Sequence, residues 1–496
     1  MSSPRASMTG CTAYPDSVVE TDDARFFMVR GEDGSKHLVM DGDGASFQGE
    51  RHGDRLLCSP NAWNAALLRD ILPWLRPQPL GLQTSMGFGD RLGLATPGHA
   101  RAAEQYRDVA PIFAQQSVRE NARTGRSPQQ VVDDAMWGLF QAGWRSPWGA
   151  DADHLKSVEE LEDFVAAGYT LYTIDPGEHV DDEAAASPPA KLERKLEGLP
   201  WNRLETSVED LERRFLGRSF CMGPIEIRLD REALFRAAAK YGRAILQTAR
   251  MYRHLTAQMS TSRRARATGH AFDLEVSVDE TETATTPEEH LFIAHELRRL
   301  GVAWVSLAPR YVGRFEKGVD YIGDLEVFEQ QMTKHAAIAQ AYGPYKLSVH
   351  SGSDKFSIYP IIAGATSGLV HVKTAGTSYL EALRTVAQVD PFLFRRILTI
   401  ACDYYTKERA TYHVSGQLSK VCPIGEYDDD ELPDLLSQFD VRQVLHVTYG
   451  SVLDRLGDRL RAALKEHEEL YADLLTRHFE RHLKPFAGRR PERGTA

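Results

Sequence analysis

The chain reads as an α/β protein built on a (β/α)8 barrel of the TIM type, with a small N-terminal α+β cap, a helical insertion and a helical C-terminal extension. Two observations carry that reading. From Leu80 onward, short apolar runs rich in β-branched residues alternate with helix-length amphipathic segments. The runs number eight: Leu80–Thr84, Pro111–Ala114, Gly149–Leu155, Thr170–Ile174, Ala271–Val278, Val302–Leu307, Tyr345–Val349 and Leu369–Val372. Eight parallel strands are the count of a closed barrel. A doubly wound open sheet is the competing architecture, but no G-x-G-x-x-G or P-loop follows any of the runs.

The elements follow in order. Residues 1–24 are small and polar and are expected to be a disordered lead-in. Residues 25–78 hold two strand-like runs, RFFMVR and KHLVM, separated by GEDGS, and then the helix Ala62–Leu75, together a hairpin-and-helix cap. The barrel is placed at 79–380. Its helices are expected at Pro128–Gln141, Val158–Ala167, Pro287–Leu300, Leu325–Ala341 and Lys355–Ala365. Ser127-Pro128 and Thr286-Pro287 give an N-cap followed by proline at the first helical position, and Ser353-Asp354 offers a third cap. About 180–266 is too long for a loop and is helical by charge and apolar spacing, so it is an insertion able to cover the barrel mouth. Residues 381–496 read as helical, through Leu380–Val386, Pro391–Glu408 and Val452–His478.

Composition narrows the function. A formal net charge of -11 argues against nucleic acid or an anionic membrane as a partner, while a local cluster of Arg and Lys still permits a small anionic substrate. Five scattered cysteines without C-x-x-C spacing exclude a zinc ribbon or disulfide framework and favour a reducing compartment. The first residues lack an apolar signal core and no run approaches membrane length, so the expected location is cytoplasmic. A homo-oligomer is left open.

In parallel α/β folds chemistry gathers at the carboxyl ends of strands. There the third run ends in Asp151, Asp153 and His154, and the fourth in Asp175-Pro176-Gly177, where the aspartate is either a site group or a turn residue. In FDLEVSVDE the polar residues Asp273, Glu275, Ser277 and Asp279 alternate with Leu274, Val276 and Val278 and so share one face. That face points into the barrel, where carboxylates need a cation or a proton, with Lys373 and Lys346 as candidate partners. Glu275 is the expected proton-transfer group, with Asp279 second. The sixth run leads into RYVGRFEKG, a basic strand exit suited to an anion, or else a solvated basic loop. The seventh and eighth bring His350 and His371, the latter followed by Lys373 and the turn TAGTS. A lone histidine is usually a core or capping residue. Three of them (His154, His350, His371) at one barrel face beside carboxylates point to a metal site, although they lack a spacing such as H-x-x-x-H.

These words also form a recognisable set. GDRLGLATPGH (89–99), PIFAQQSVRE (111–120), DDAMWGLFQAGWR (133–145), GADADHLK (149–156), FDLEVSVDETET (272–283), SLAPRYVGRFEKGVDYIGDL (306–325), KLSVHSGSDKFSIYP (346–360) and HVKTAGTSYLEALR (371–384) resemble the tagaturonate/fructuronate epimerase family, over about residues 80 to 415. The resemblance implies a metal-dependent epimerase that inverts carbon 4 of a small keto-uronate. It implies Asp153 as proton acceptor, Glu275 as proton donor and His154, His350 and His371 as ligands of a divalent cation of the Zn, Mn, Co or Ni type. Arg310 and Lys373 are expected to bind substrate. A metal-dependent aldolase or isomerase for another keto-sugar, and a non-catalytic sugar-acid sensor, are the alternatives.

Overall fold

The computed structural model describes residues 10–42, 46–223, 225–260, 271–421 and 424–488. Its centre is a closed barrel of eight parallel strands in chain order, the eighth pairing back onto the first. The barrel strands are Ser85–Gly87, Ala110–Ser117, Gly149–Leu155, Leu171–Ile174, Asp273–Val278, Ser306–Pro309, Lys346–Val349 and Val370–Lys373. All eight are buried from end to end except at His154. Burial on both faces is why they read as apolar runs, with polar positions reserved for the interior.

Two strands lie further along the chain than their apolar runs suggest. The first begins at Ser85 because Leu80 lies in a turn beneath the barrel, packed with Ala110, Ile112 and Leu171. The backbone N–H groups of Leu80 and Gly81 both donate to Asp273 Oδ2 at 2.8 Å, so Asp273 closes the bottom of the barrel. The sixth begins at Ser306 because Val302 still belongs to the helix exit, donating to Leu297 O.

The helix after the seventh strand runs Tyr359–Thr366, starting later than expected, and Ser353-Asp354 does not cap it. Asp354 is instead held by Arg442 and Thr377, and Lys355 is buried with its ammonium on backbone carbonyls. The helices Thr96–Glu104 and Val118–Thr124, which carry little sequence signal, follow the first and second strands. The expected helix Ala62–Leu75 is an α-helix over Ala62–Ile71 and a 3-10 turn over Pro73–Leu75.

Residues 1–9 of the expected lead-in lie outside the described residues. The rest of it is ordered: Thr12–Ala13 and Val19–Glu20 pair with Ala24–Arg30 in an antiparallel sheet. Lys36–Gly42, Arg55–Cys58 and Gly49–His52 complete that sheet. One face, through Phe26, Met28 and Leu38, joins the main core.

Between the fourth and fifth strands stand the helices Pro189–Glu197, Val208–Phe215 and Arg231–Met259, with a small hairpin of Phe220–Met222 and Ile225–Ile227. The expected end of this insertion, near residue 266, lies outside the described residues.

Beyond the barrel, Thr377–Val389, Pro391–Glu408, Phe439–Val447, Tyr449–Glu466 and Glu468–Leu483 form a helical layer. The expected single helix Val452–His478 is two helices, broken at His467. The last one lies tightly on Thr96–Glu104: a Cβ at Gly98 would come within 2.8 Å of Leu475 Cβ and 3.0 Å of Ala472 O. No described helix is long and apolar enough to cross a membrane.

Candidate active site

A cavity of about 290 Å³ opens at the carboxyl ends of the barrel strands. Asp153, His154, Asp279, His350 and Lys373 line one part of it. Neighbouring residues of a regular strand point to opposite faces, yet Asp153 and His154 both reach the cavity. The register explains this. Tyr172 pairs with Ala152 but Ile174 with Leu155, a bulge that inserts one residue, and His154 takes a left-handed conformation with φ 55°. Strain of that kind is characteristic of functional positions.

The two histidines face each other. His154 Nε2 lies 3.1 Å from His350 Nδ1, and Asp279 Oδ1 lies 3.2 Å from the same His350 atom. Each imidazole rests its other nitrogen on a buried carboxylate, His154 Nδ1 on Asp175 at 3.0 Å and His350 Nε2 on Glu275 at 2.7 Å. A carboxylate behind an imidazole fixes its tautomer and leaves the opposite lone pair free, as metal-binding histidines require. Donor atoms of Asp153, His154 and His350 all lie within 4.8 Å of one another. Burial disfavours protonation of both histidines, but Asp153 and Asp175 raise His154 to about 10 and Asp279 raises His350 to about 9. Carboxylates surround both imidazoles, and the donor set fits a divalent cation.

Lys373 organises the carboxylates beside them. Its Nζ is 2.6 Å from Asp153, 2.9 Å from Asp151, 2.9 Å from Glu275 and 2.6 Å from Thr173 Oγ1. Burial works against ionisation of Asp153 and Glu275, and the Lys373 ammonium outweighs it, so both stay well below the usual carboxylate range. The polar face expected in the fifth strand is therefore present and turned inward, with Glu275 paired to Lys373. Lys346 donates to Ser85 Oγ at 3.0 Å instead.

The expected site residues thus separate. Asp153, His154 and His350 come together. Glu275 is fully buried and does not border the cavity, so any proton it handles passes through His350 or Lys373. His371 lies apart from the facing pair: its Nδ1 is 2.9 Å from Ser85 Oγ, its Nε2 is 3.9 Å from Asp151, and burial lowers its proton affinity. It sits within the strand, pointing to the barrel interior, rather than at the strand end. Lys373 does border the cavity, but its ammonium is already engaged by protein carboxylates. Arg310 lines the cavity with a half-buried side chain.

The insertion, read as able to cover the mouth, contributes no lining residue among the described residues. Thr411, Tyr412 and His413 of the C-terminal region line it in its place. Two lining residues of the second strand and its exit also escaped the sequence reading, Gln115 and Arg119. Gln115 had a signal: a polar side chain in a buried strand, as in the fifth. Its amide, 1% exposed, has no hydrogen-bond partner among the described residues, and its Oε1 would lie 2.1 Å from a Cβ at Gly87.

Comparison with known proteins identifies the family. The family model described as tagaturonate epimerase matches residues 14–486. A tagaturonate/fructuronate epimerase of Thermotoga maritima is 42% identical over 488 residues, covering 97% of this chain and 98% of its own. Crystal structures of a fructuronate-tagaturonate epimerase from Cohnella laeviribosi superpose with a TM-score of 0.89. In its native form that protein is 37% identical, covering 97% of this chain and 98% of that one. In a glycerol complex it is 38% identical, covering 96% of each. The family match takes in the N-terminal sheet from Val19 onward and the C-terminal helices, and the chain belongs to the tagaturonate epimerase family.

Proposed function

We propose that this chain interconverts D-tagaturonate and D-fructuronate by inversion at carbon 4, with a divalent cation bound at His154 and His350. The observation that carries the reading is the facing pair of imidazoles, each backed by a buried carboxylate, on a cavity shared with the Asp153–Lys373 pair. Nitrogen donors with carboxylates nearby suit Zn, Mn, Co or Ni better than Ca or Mg. When bound, such a cation supplies Lewis-acid polarisation of the substrate carbonyl.

The hydrogen on carbon 4 is β to the carbonyl at carbon 2 and is not acidified by it, so the route favoured here breaks carbon–carbon bonding. Asp153, kept ionised by Lys373, accepts the proton of the 4-hydroxyl. The bond between carbons 3 and 4 then cleaves. Its electron pair passes into the enediolate of carbons 1 to 3, and carbon 4 becomes an aldehyde. Rotation of that aldehyde and re-addition to its other face invert the centre, and the proton returns to the new alkoxide. Lys373 touches both Asp153 and Glu275, so it connects the acceptor to the expected donor.

The test is incubation of the purified protein with D-tagaturonate, with and without chelator, in deuterated water. Fructuronate formed only with metal, without deuterium at carbon 4, is the expected result. Deuterium at carbon 4 would replace the cleavage route by direct proton transfer. Absence of fructuronate under metal-replete conditions would reject the activity, and net cleavage without recombination would make the protein an aldolase.

A further inference from the structure

The cavity has a second pole that the reaction above does not use. Arg119, just beyond the second strand, and Lys317, beyond the sixth, both line it. The second and sixth strands stand on opposite sides of an eight-stranded ring, so these two cations reach over the mouth from opposite walls. Neither has an ion-pair partner among the described residues, and the nearby carboxylates are committed elsewhere. Glu120 is taken by Arg91 at 2.9 Å, Glu280 faces Lys156 at 3.7 Å, and Glu316 accepts from Ser415 and Gln443. Burial, and then the facing Arg119 guanidinium, lower the proton affinity of Lys317.

Both groups are held in place. Lys317 sits in a turn whose neighbouring carbonyls are fixed: the buried Lys355 ammonium binds Glu316 O at 2.9 Å and also Val319 O, while Arg442 binds Gly318 O. The guanidinium of Arg119 lies 5.2 Å from the ring of Tyr412, whose hydroxyl accepts from Arg123 at 2.8 Å. Two preorganised cations without a direct ion pair among the described residues, on a cavity in a chain of net charge -11, mark a site for one anion.

We propose that Lys317 and Arg119 bind the substrate carboxylate, making them the residues that select a keto-uronate over a neutral keto-sugar. This deepens the reading above and rests on it. It assigns the carboxylate to Lys317 and Arg119, beside the lining residue Tyr412, rather than to Lys373, whose ammonium is neutralised by protein.

The experiment is steady-state kinetics on K317M, R119M, the double variant and K317R, with D-tagaturonate as substrate and D-tagatose as a neutral competitor. Each single Met variant should raise KM for D-tagaturonate about 10- to 100-fold, the loss of a charge-assisted hydrogen bond, while kcat stays within about threefold. K317R should recover most of the loss, and inhibition by D-tagatose should not change. A fall in kcat at constant KM, or equal weakening of D-tagatose, overturns the anchor while leaving the epimerase reading intact. If the wild type forms no fructuronate, that reading fails. The anchor is then decided by whether D-tagaturonate raises the Tm of the wild type and not of the double variant.

Discussion

Among the described residues, two clusters bring one aspartate and two histidines within ligand distance of each other, and they behave in opposite ways. At the barrel mouth stand Asp153, His154 and His350; under the C-terminal helix stand Asp354, His478 and His482. In the second cluster the imidazoles are tied into the surrounding helices and loop, with His478 Nδ1 3.5 Å from Glu381. His482 Nδ1 donates to His478 O at 3.0 Å and its Nε2 accepts from Asp354 N–H at 3.0 Å, while His478 Nε2 is 2.7 Å from Thr377 Oγ1. Asp354 is paired with Arg442 at 2.9 Å. Burial lowers His478 to about 4 and His482 to about 3, so both are neutral fasteners of a helix. At the mouth the two imidazoles face each other across 3.1 Å beside Asp279, at an open cavity, and each is backed by a buried carboxylate. Proximity of ligand-type residues does not make a metal site; what matters is whether their nitrogens face a cavity or are tied to the backbone.

The largest expected contrast is between His350→Ala and His482→Asn. The first should lose bound metal and reduce kcat by about a thousandfold or more, read by metal analysis and turnover. The second should keep both, and lose about 1–3 kcal/mol of stability in denaturant unfolding because Asp354 N–H is left unpaired. Equal loss of metal in the two would erase the distinction. A smaller effect is expected behind the ligands. Glu275→Gln removes the carboxylate under His350 and should weaken metal affinity about 10- to 100-fold in competitive chelation. Normal affinity with abolished turnover would leave Glu275 with the donor role alone.

The subtlest contrast is in pH. A buried neutral histidine with a lowered folded pKa leaves the unfolded chain binding more protons below about pH 6.5. Stability therefore falls as pH drops from there toward 4. At pH 5 the cost is about 2 kcal/mol for each histidine as strongly depressed as His482. His482→Asn should flatten that acid limb in a Tm-against-pH series. An unchanged slope would mean that His482 is not the group responsible.

Much of this site was legible in the residue order because barrels deliver chemistry at strand ends. The alternation in FDLEVSVDE put Glu275 on the inner face, and the exits at His154 and His350 placed the facing pair. Other features were not local. Whether Asp175 was a turn residue or a partner depended on the bulge that turns His154 toward it. His371 had the right type on the right strand, but its depth in the ring follows from register, directly opposite Ser85, which no short motif encodes. Tyr412 meets Arg119 across nearly three hundred residues of chain. Such a contact depends on how the C-terminal layer packs over the mouth, and neither segment carries a pattern that names the other.

The central claim is that one cation binds between His154 and His350 and none binds at the second cluster. An anomalous-scattering crystal structure of metal-loaded protein tests it directly. The account predicts a single strong peak per chain within coordination distance of His154 Nε2 and His350 Nδ1. A peak beside His478 and His482, or none at the mouth in protein that turns over substrate, would contradict it.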